Sequence, residues 1–148
     1  MVVDTISDFL LSNNYSKKFI AIDYGLKFIG MAISDSTNII SIPYRTVSEY
    51  EFFSNIEQIL KSEKISGIII GMPYYLDGRE SEMSSNVRQF AKKIEKITSL
   101  PILFIDERLS SKSYKSAKKS KLDSVHEKSA CLILDDFLTL YRNSPSGK

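Results

Sequence analysis

Acidic residues stand at three places where a patterned segment of this chain begins or ends. Asp23 follows Phe19-Ile20-Ala21-Ile22, Asp106-Glu107 follows Ile102-Leu103-Phe104-Ile105, and Asp123 to Glu127 opens the last helical pattern. A carboxylate directly after a buried apolar run must be solvated, paired or bound to a cation, because burying it bare is too costly. The plain alternative for Asp23 is an acid that starts a turn, with Gly25 two residues later. Oxygen donors from separate elements suit Mg²⁺ or Mn²⁺, which take a few carboxylates together with waters and substrate phosphate oxygens. Two such ions about 4 Å apart activate a water and stabilise the departing oxygen of a phosphodiester.

The elements that must position these acids follow from periodicity. Residues 18–23, 28–34 and 38–44 read as three strands whose short connections force antiparallel neighbours. Pro43 is expected to end the third. Residues 48–62 predict a helix with Ser48 as N-cap and Glu51 three positions on. Ile65 to Pro73 is apolar enough for a central strand covered on both faces. A helix over 80–98, a strand over 101–105 and a helix over 123–142 complete the order βββαβαβα. The spacing of Val2, Val3, Ile6, Phe9 and Leu10 predicts an amphipathic helix over 2–15, packed on the domain or on a second copy. The fold class is α/β, a mixed five-stranded sheet of three antiparallel and then two parallel strands, with helices on both faces. In such sheets ligands gather outside the carboxyl ends of central strands, where Asp23 and Glu107 fall.

With 148 residues, 43% hydrophobic and 26% charged, the chain is long enough for one domain with a real core. No apolar run approaches the roughly 20 residues that cross a bilayer, and Met1-Val2-Val3-Asp4 lacks the basic start of a secretory signal. A cytoplasmic protein without membrane attachment is expected. The one cysteine, Cys131, has apolar neighbours Leu132 and Ile133 and reads as a buried thiol, not a nucleophile. The net charge of +2 hides a local concentration: Lys112, Lys115, Lys118, Lys119 and Lys121 lie within ten residues that contain no acid. Such a run is ordinarily a solvated loop. Here it joins the Asp-Glu-Arg strand to the last acid-bearing helix.

Four motifs in order carry a resemblance: Asp23-Tyr24-Gly25-x-Lys27-x-Ile29-Gly30-x-Ala32, then Gly71-x-Pro73 with Leu76-Asp77-Gly78, then Asp106-Glu107-Arg108-Leu109-Ser110-Ser111, then Ile133-Leu134-Asp135-Asp136-Phe137-Leu138. Over residues 18 to 140 the chain resembles the YqgF (RuvX) family, RNase H-like proteins assigned as Holliday junction resolvases or pre-16S rRNA nucleases. The resemblance implies an RNase H-like sheet and a divalent-metal-dependent nuclease in ribosome biogenesis, processing the pre-16S rRNA 5′ end. Alternatives are a Holliday junction resolvase acting on branched DNA and a catalytically weakened nucleic-acid-binding module. It implies Asp23 and Glu107 as catalytic metal ligands. At the third position it places His126 where the family usually has an aspartate, with Asp123 one turn earlier and Glu127 one residue later. The third ligand is therefore open between Asp123 and His126, with Asp106 in reserve. Residues 1–17 form an extension, 18–142 the nuclease domain and 143–148 a flexible tail.

Lys27 and Arg108 sit beside the acids and are candidates to hold phosphate; plain surface charge, or for Arg108 a structural ion pair, competes with that role. Lys115, Lys118 and Lys119 of the basic loop would neutralise phosphates of precursor RNA or branched DNA and make binding salt-dependent. Ser110 and Ser111 read as caps, and Tyr74 and Tyr75 as aromatic faces for bases or as half-buried packing. No base-reading motif is evident. An Asp-x-Gly turn also opens the phosphate hairpins of actin-like ATPases, but those need two lobes and 148 residues hold one. Monomer and homodimer are both compatible with the sequence.

Overall fold

A computed structural model describes residues 1–11, 18–107 and 122–143, with side chains from 126 onward in the last segment. The lysine run 112–121, Arg108, Ser110 and Ser111 lie outside the described residues, as does the Asp123 side chain.

Six strands form one sheet: β1 (Val2–Val3), β2 (Lys18–Asp23), β3 (Ile29–Ser34), β4 (Ser41–Val47), β5 (Ile65–Met72) and β6 (Ile102–Asp106). Their spatial order is β1-β6-β5-β2-β3-β4. The β2–β3 and β3–β4 pairs are antiparallel, whereas β5 runs parallel to β2 and β6 parallel to β5. The expected three antiparallel and two parallel strands are all present. The described residues also form helices α1 (Ile6–Leu11), α2 (Glu49–Ser62), α3 (Glu82–Glu95) and α4 (Leu122–Arg142).

The N-terminus departs from the expected 2–15 helix and five-stranded sheet. Val2 and Val3 pair in parallel with Ile102 and Leu103 as a sixth strand, and the helix α1 begins at Ile6. A two-residue β-branched run has no period of its own, so the open edge of β6 decides its state. The Met1 carbonyl accepts from Ile102 N at 2.7 Å, and Val2 N donates to Glu95 Oε2 at 2.8 Å. The apolar face of α1 packs on the domain itself, where Phe9 and Leu10 are buried.

Pro43 does not end the third strand. It lies inside β4 opposite Ala32, next to a register irregularity between Met31 and Ala32. An edge strand tolerates a residue without an N–H, which is why the strand runs on to Val47. The predicted capping box of α2 is present: Glu51 N donates to Ser48 Oγ at 3.2 Å, and Ser48 N donates to Glu51 Oε1 at 3.1 Å.

Alternation along the strands divides the core in two. Ile20, Ile22, Ile29, Met31, Ile68 and Ile70 face α2 and α3, meeting Phe52, Ile56, Phe90 and Ile94. Phe19, Ala21, Ala32, Ile69 and Leu103 face α1 and α4, meeting Phe9, Ala130, Leu134, Phe137 and Leu138. The Phe19 and Phe137 rings meet edge to face with centroids 4.8 Å apart. Burying each such ring contributes about 1.5–3 kcal/mol. β5 is buried along its whole length, as a central strand covered on both faces must be. Among the described residues no helix is long and apolar enough to cross a membrane.

Candidate active site at the carboxyl ends of β2 and β6

Asp23 is the last residue of β2 and pairs with Gly30 of β3. It shares the parity of Phe19 and Ala21, which places it on the α4 side of the sheet. On β6, Leu103 and Ile105 belong to the same side. Glu107 continues that alternation, and its backbone N–H donates to the Met72 carbonyl at 3.3 Å.

Between the two acids runs β5. Ile22 pairs with Ile70, so Asp23 and Gly71 are the next residues along two neighbouring strands. Gly71 has no side chain, and the Glu107 carboxylate uses that space: a Cβ at residue 71 would lie 3.0 Å from Glu107 Oε1 and 2.6 Å from Ile133 Cδ1. Glu107 therefore leans over β5 toward the strand that carries Asp23. Neighbouring strands are about 4.8 Å apart, so the missing side chain at Gly71 removes what would otherwise separate the two acids.

The first turns of α4 reach the same end through Gly30. A Cβ there would fall 2.2 Å from the His126 carbonyl oxygen, so the helix crosses β3 in backbone contact opposite Asp23. The His126 and Glu127 side chains are engaged on the β4 side. The His126 ring lies 5.5 Å from the Phe28 ring, and Glu127 Oε2 accepts from Thr46 Oγ1 at 3.1 Å. Both line a cavity of about 450 Å³ with Phe28, Thr46, Ser48 and Glu51.

The structure thus brings Asp23, Glu107 and the start of α4 to one face and one end of the sheet. Asp106 falls on the other face by alternation, since Ile102 and Phe104 of its parity belong to the α2 and α3 side. Asp123 lies in the first turn of α4, one turn before His126. Among the described side chains no three His, Cys, Asp or Glu residues converge closely enough to hold a metal ion. The described pair still fits a hard cation in kind, being two carboxylates from separate strand ends on one face.

Lys27 is exposed in the turn between Asp23 and β3. That turn has an anchor that the sequence reading missed. Tyr24 packs its ring 4.6 Å from Phe90 and donates its hydroxyl to Glu49 Oε1 at 3.2 Å. Burial first, and then the Glu49 carboxylate, push the phenol above its ordinary range. Strand alternation carries the signal for this, since Tyr24 shares the parity of Ile20 and Ile22. In the hairpin after β5, Tyr74 packs against the core, while Tyr75 is about half exposed with the Arg79 guanidinium 5.1 Å from its ring centroid. Cys131 is half-buried and its thiol is pushed up chiefly by burial, in keeping with an unreactive sulfur.

The sheet order and the helices on both faces are those of an RNase H-like α/β domain, with two carboxylates at the carboxyl ends of its strands. The model of the RuvX family, described as Holliday junction resolvase, matches residues 17–140, and the chain belongs to this family. A protein of Orientia tsutsugamushi (strain Ikeda) is 30% identical over 99% of both chains, and one of Maridesulfovibrio salexigens is 40% identical over 64% of this chain and 72% of its own length. Both carry the name "Putative pre-16S rRNA nuclease". Among solved structures, T. thermophilus RuvC in complex with a Holliday junction substrate matches with a TM-score of 0.56, covering 86% of this chain and 96% of that one. At 7% identity the likeness is one of fold.

Proposed function

We propose that this nuclease is divalent-metal-dependent and processes a precursor of 16S rRNA near its 5′ end. The observation that carries the catalytic reading is the placement of the Glu107 carboxylate over Gly71, on the same face and at the same end of the sheet as Asp23. Asp23 and Glu107 are the residues to hold Mg²⁺ or Mn²⁺. Asp123 is the proposed third donor, because the ring of His126 and the carboxylate of Glu127 are engaged with Phe28 and Thr46. A bound cation of this kind activates water and stabilises a departing oxyanion. The chain itself holds the two strand-end carboxylates in place through the sheet ladder. Lys27 offers a cation to the phosphate beside them. Arg108, Lys115, Lys118 and Lys119 are proposed to neutralise neighbouring phosphates, which makes affinity fall with salt.

The substrate reading rests on the names of the relatives; the family description supports branched DNA as the second reading. Incubating the protein with a precursor-rRNA 5′ fragment and with a four-way DNA junction, each in Mg²⁺, Mn²⁺ or EDTA, tests both. Metal-dependent cleavage of the RNA, lost in Asp23→Asn, supports the proposal. Cleavage of the junction alone supports resolution. Binding of either without cleavage in any metal leaves a nucleic-acid-binding module and overturns the nuclease assignment for this chain.

A further inference from the structure

The cavity of about 450 Å³ at the Asp23 end of β3 and β4 is not explained by metal chemistry. It lies between the β2–β3 turn, the β4–α2 junction and α4. Its walls include two rings, Phe28 and His126, with centroids 5.5 Å apart and planes inclined by 48°. Phe28 is 45% exposed, so its ring is open to an occupant of the cavity. Among the described residues its polar side-chain atoms come from Glu51, Glu127, Thr46, Ser48 and the His126 imidazole. Each hydroxyl already has an acceptor: Thr46 Oγ1 donates to Glu127 Oε2, and Ser48 Oγ donates to Glu51 Oε1 at 3.2 Å. What the cavity offers an occupant is aromatic surface and carboxylate oxygens with lone pairs to spare.

Rings beside carboxylate acceptors suit a planar group with adjacent N–H donors. Among nucleobases only guanine presents two neighbouring donors, N1–H and the N2 amino group, to one carboxylate. Cytosine and adenine place a ring acceptor beside their amino group, which a carboxylate repels. Unpaired bases are commonly read by stacking on rings with hydrogen bonds along the Watson–Crick edge. We propose that this cavity is a guanine subsite for an unpaired nucleotide flanking the scissile phosphodiester, with Phe28 and His126 against the base and Glu127 or Glu51 on its donor edge. The position agrees: the His126 backbone lies over Gly30, the residue paired with Asp23, so the cavity is one strand away from Asp23. The proposal rests on the nuclease reading for its place beside a scissile bond, while base binding can be read without cleavage.

His126 is the one histidine in the chain, so its imidazole Cε1–H gives a single NMR signal. Titrating the metal-free protein with GMP, IMP, AMP and CMP in EDTA separates base recognition from catalysis. The expected result is a saturable shift of the His126 signal with GMP at millimolar concentration. Apparent affinity should be about tenfold weaker for IMP, which lacks the N2 amino group, and weaker still for AMP and CMP. In Glu127→Gln or Glu51→Gln, which keep shape and an acceptor for Thr46 or Ser48, the preference of GMP over IMP should vanish in at least one. Equal shifts with all four nucleotides, no shift with any, or an equal shift with putrescine, which would mark a simple cation site, each overturn the guanine assignment. None of these outcomes bears on whether Asp23→Asn abolishes cleavage.

Discussion

Gly30 lies beneath the backbone of His126, so close that a Cβ at residue 30 would stand 2.2 Å from the His126 carbonyl oxygen. One missing side chain on β3 thus sets how near α4 comes to the sheet, and with it where the first turn of that helix meets Asp23. Neither backbone yields as the end of a flexible side chain does. Gly30→Ala should therefore cost about 1–3 kcal/mol or more by overpacking. A urea-unfolding midpoint well below that of the wild type is the expected measurement, with cleavage falling alongside.

Removing a carboxylate from the proposed metal pair should be read in the response to metal. Asp23→Asn and Glu107→Gln keep the side-chain shape and take away the charge that would hold a cation. A ligand that binds only the folded state raises stability by about 2.7 kcal/mol at a hundred times its Kd. The rise in Tm with added Mn²⁺ should shrink sharply in both variants, and cleavage should drop about a hundredfold or more, a loss of several kcal/mol at the transition state. An unchanged Mn²⁺ response in Glu107→Gln would remove Glu107 from the ligand set.

Tyr24 ties the turn that carries Lys27 to α2 through its hydroxyl bond to Glu49. Tyr24→Phe keeps the ring against Phe90 and removes only that bond, a net cost of about 0.5–1.5 kcal/mol. Because Lys27 is proposed to contact substrate, the expected kinetic change is a raised KM for short RNA with kcat nearly unaltered. Steady-state kinetics over a range of substrate concentration would show it.

Asp35 gives the fold an acid-sensitive point far from the site. Its carboxylate accepts first from the Thr37 hydroxyl and then from the N–H groups of Ile40, Ile39 and Thr37, which hold its carboxyl well below the usual carboxylate range. A depressed folded-state pKa means stability that is present above the unfolded value, about 3.9, and is lost as pH falls through it toward the folded value. Unfolding curves should show wild-type stability declining below about pH 4, with a smaller decline in Asp35→Ala. At neutral pH the variant should be less stable by about 1 kcal/mol, a figure kept low because the turn is partly exposed.

Much of the architecture was legible because it rests on local rules. Apolar runs bounded by turn residues marked β2, β5 and β6, and Ser48 with Glu51 marked the start of α2. The departures came where the neighbour decided the outcome. Val2-Val3 joined the open edge of β6, and Pro43 was accommodated by an edge position.

For the candidate site, the residue order of the chain determined that Asp23 and Glu107 stand at the ends of buried strands, because a four- or five-residue apolar run followed by an acid has few other solutions. It did not determine which acids share a face. That was decided in three dimensions, by the parity that sends Asp106 to the α3 side and Glu107 to the α4 side, and by two glycines whose meaning is what lies above them. Gly71 admits the Glu107 carboxylate between strands, and Gly30 admits the backbone of α4. The absence of a side chain leaves no pattern in a sequence, since its value lies in the atoms that other segments bring into the space. The same holds for His126, whose ring partner Phe28 sits 98 positions earlier in the chain and meets it only because α4 crosses β3.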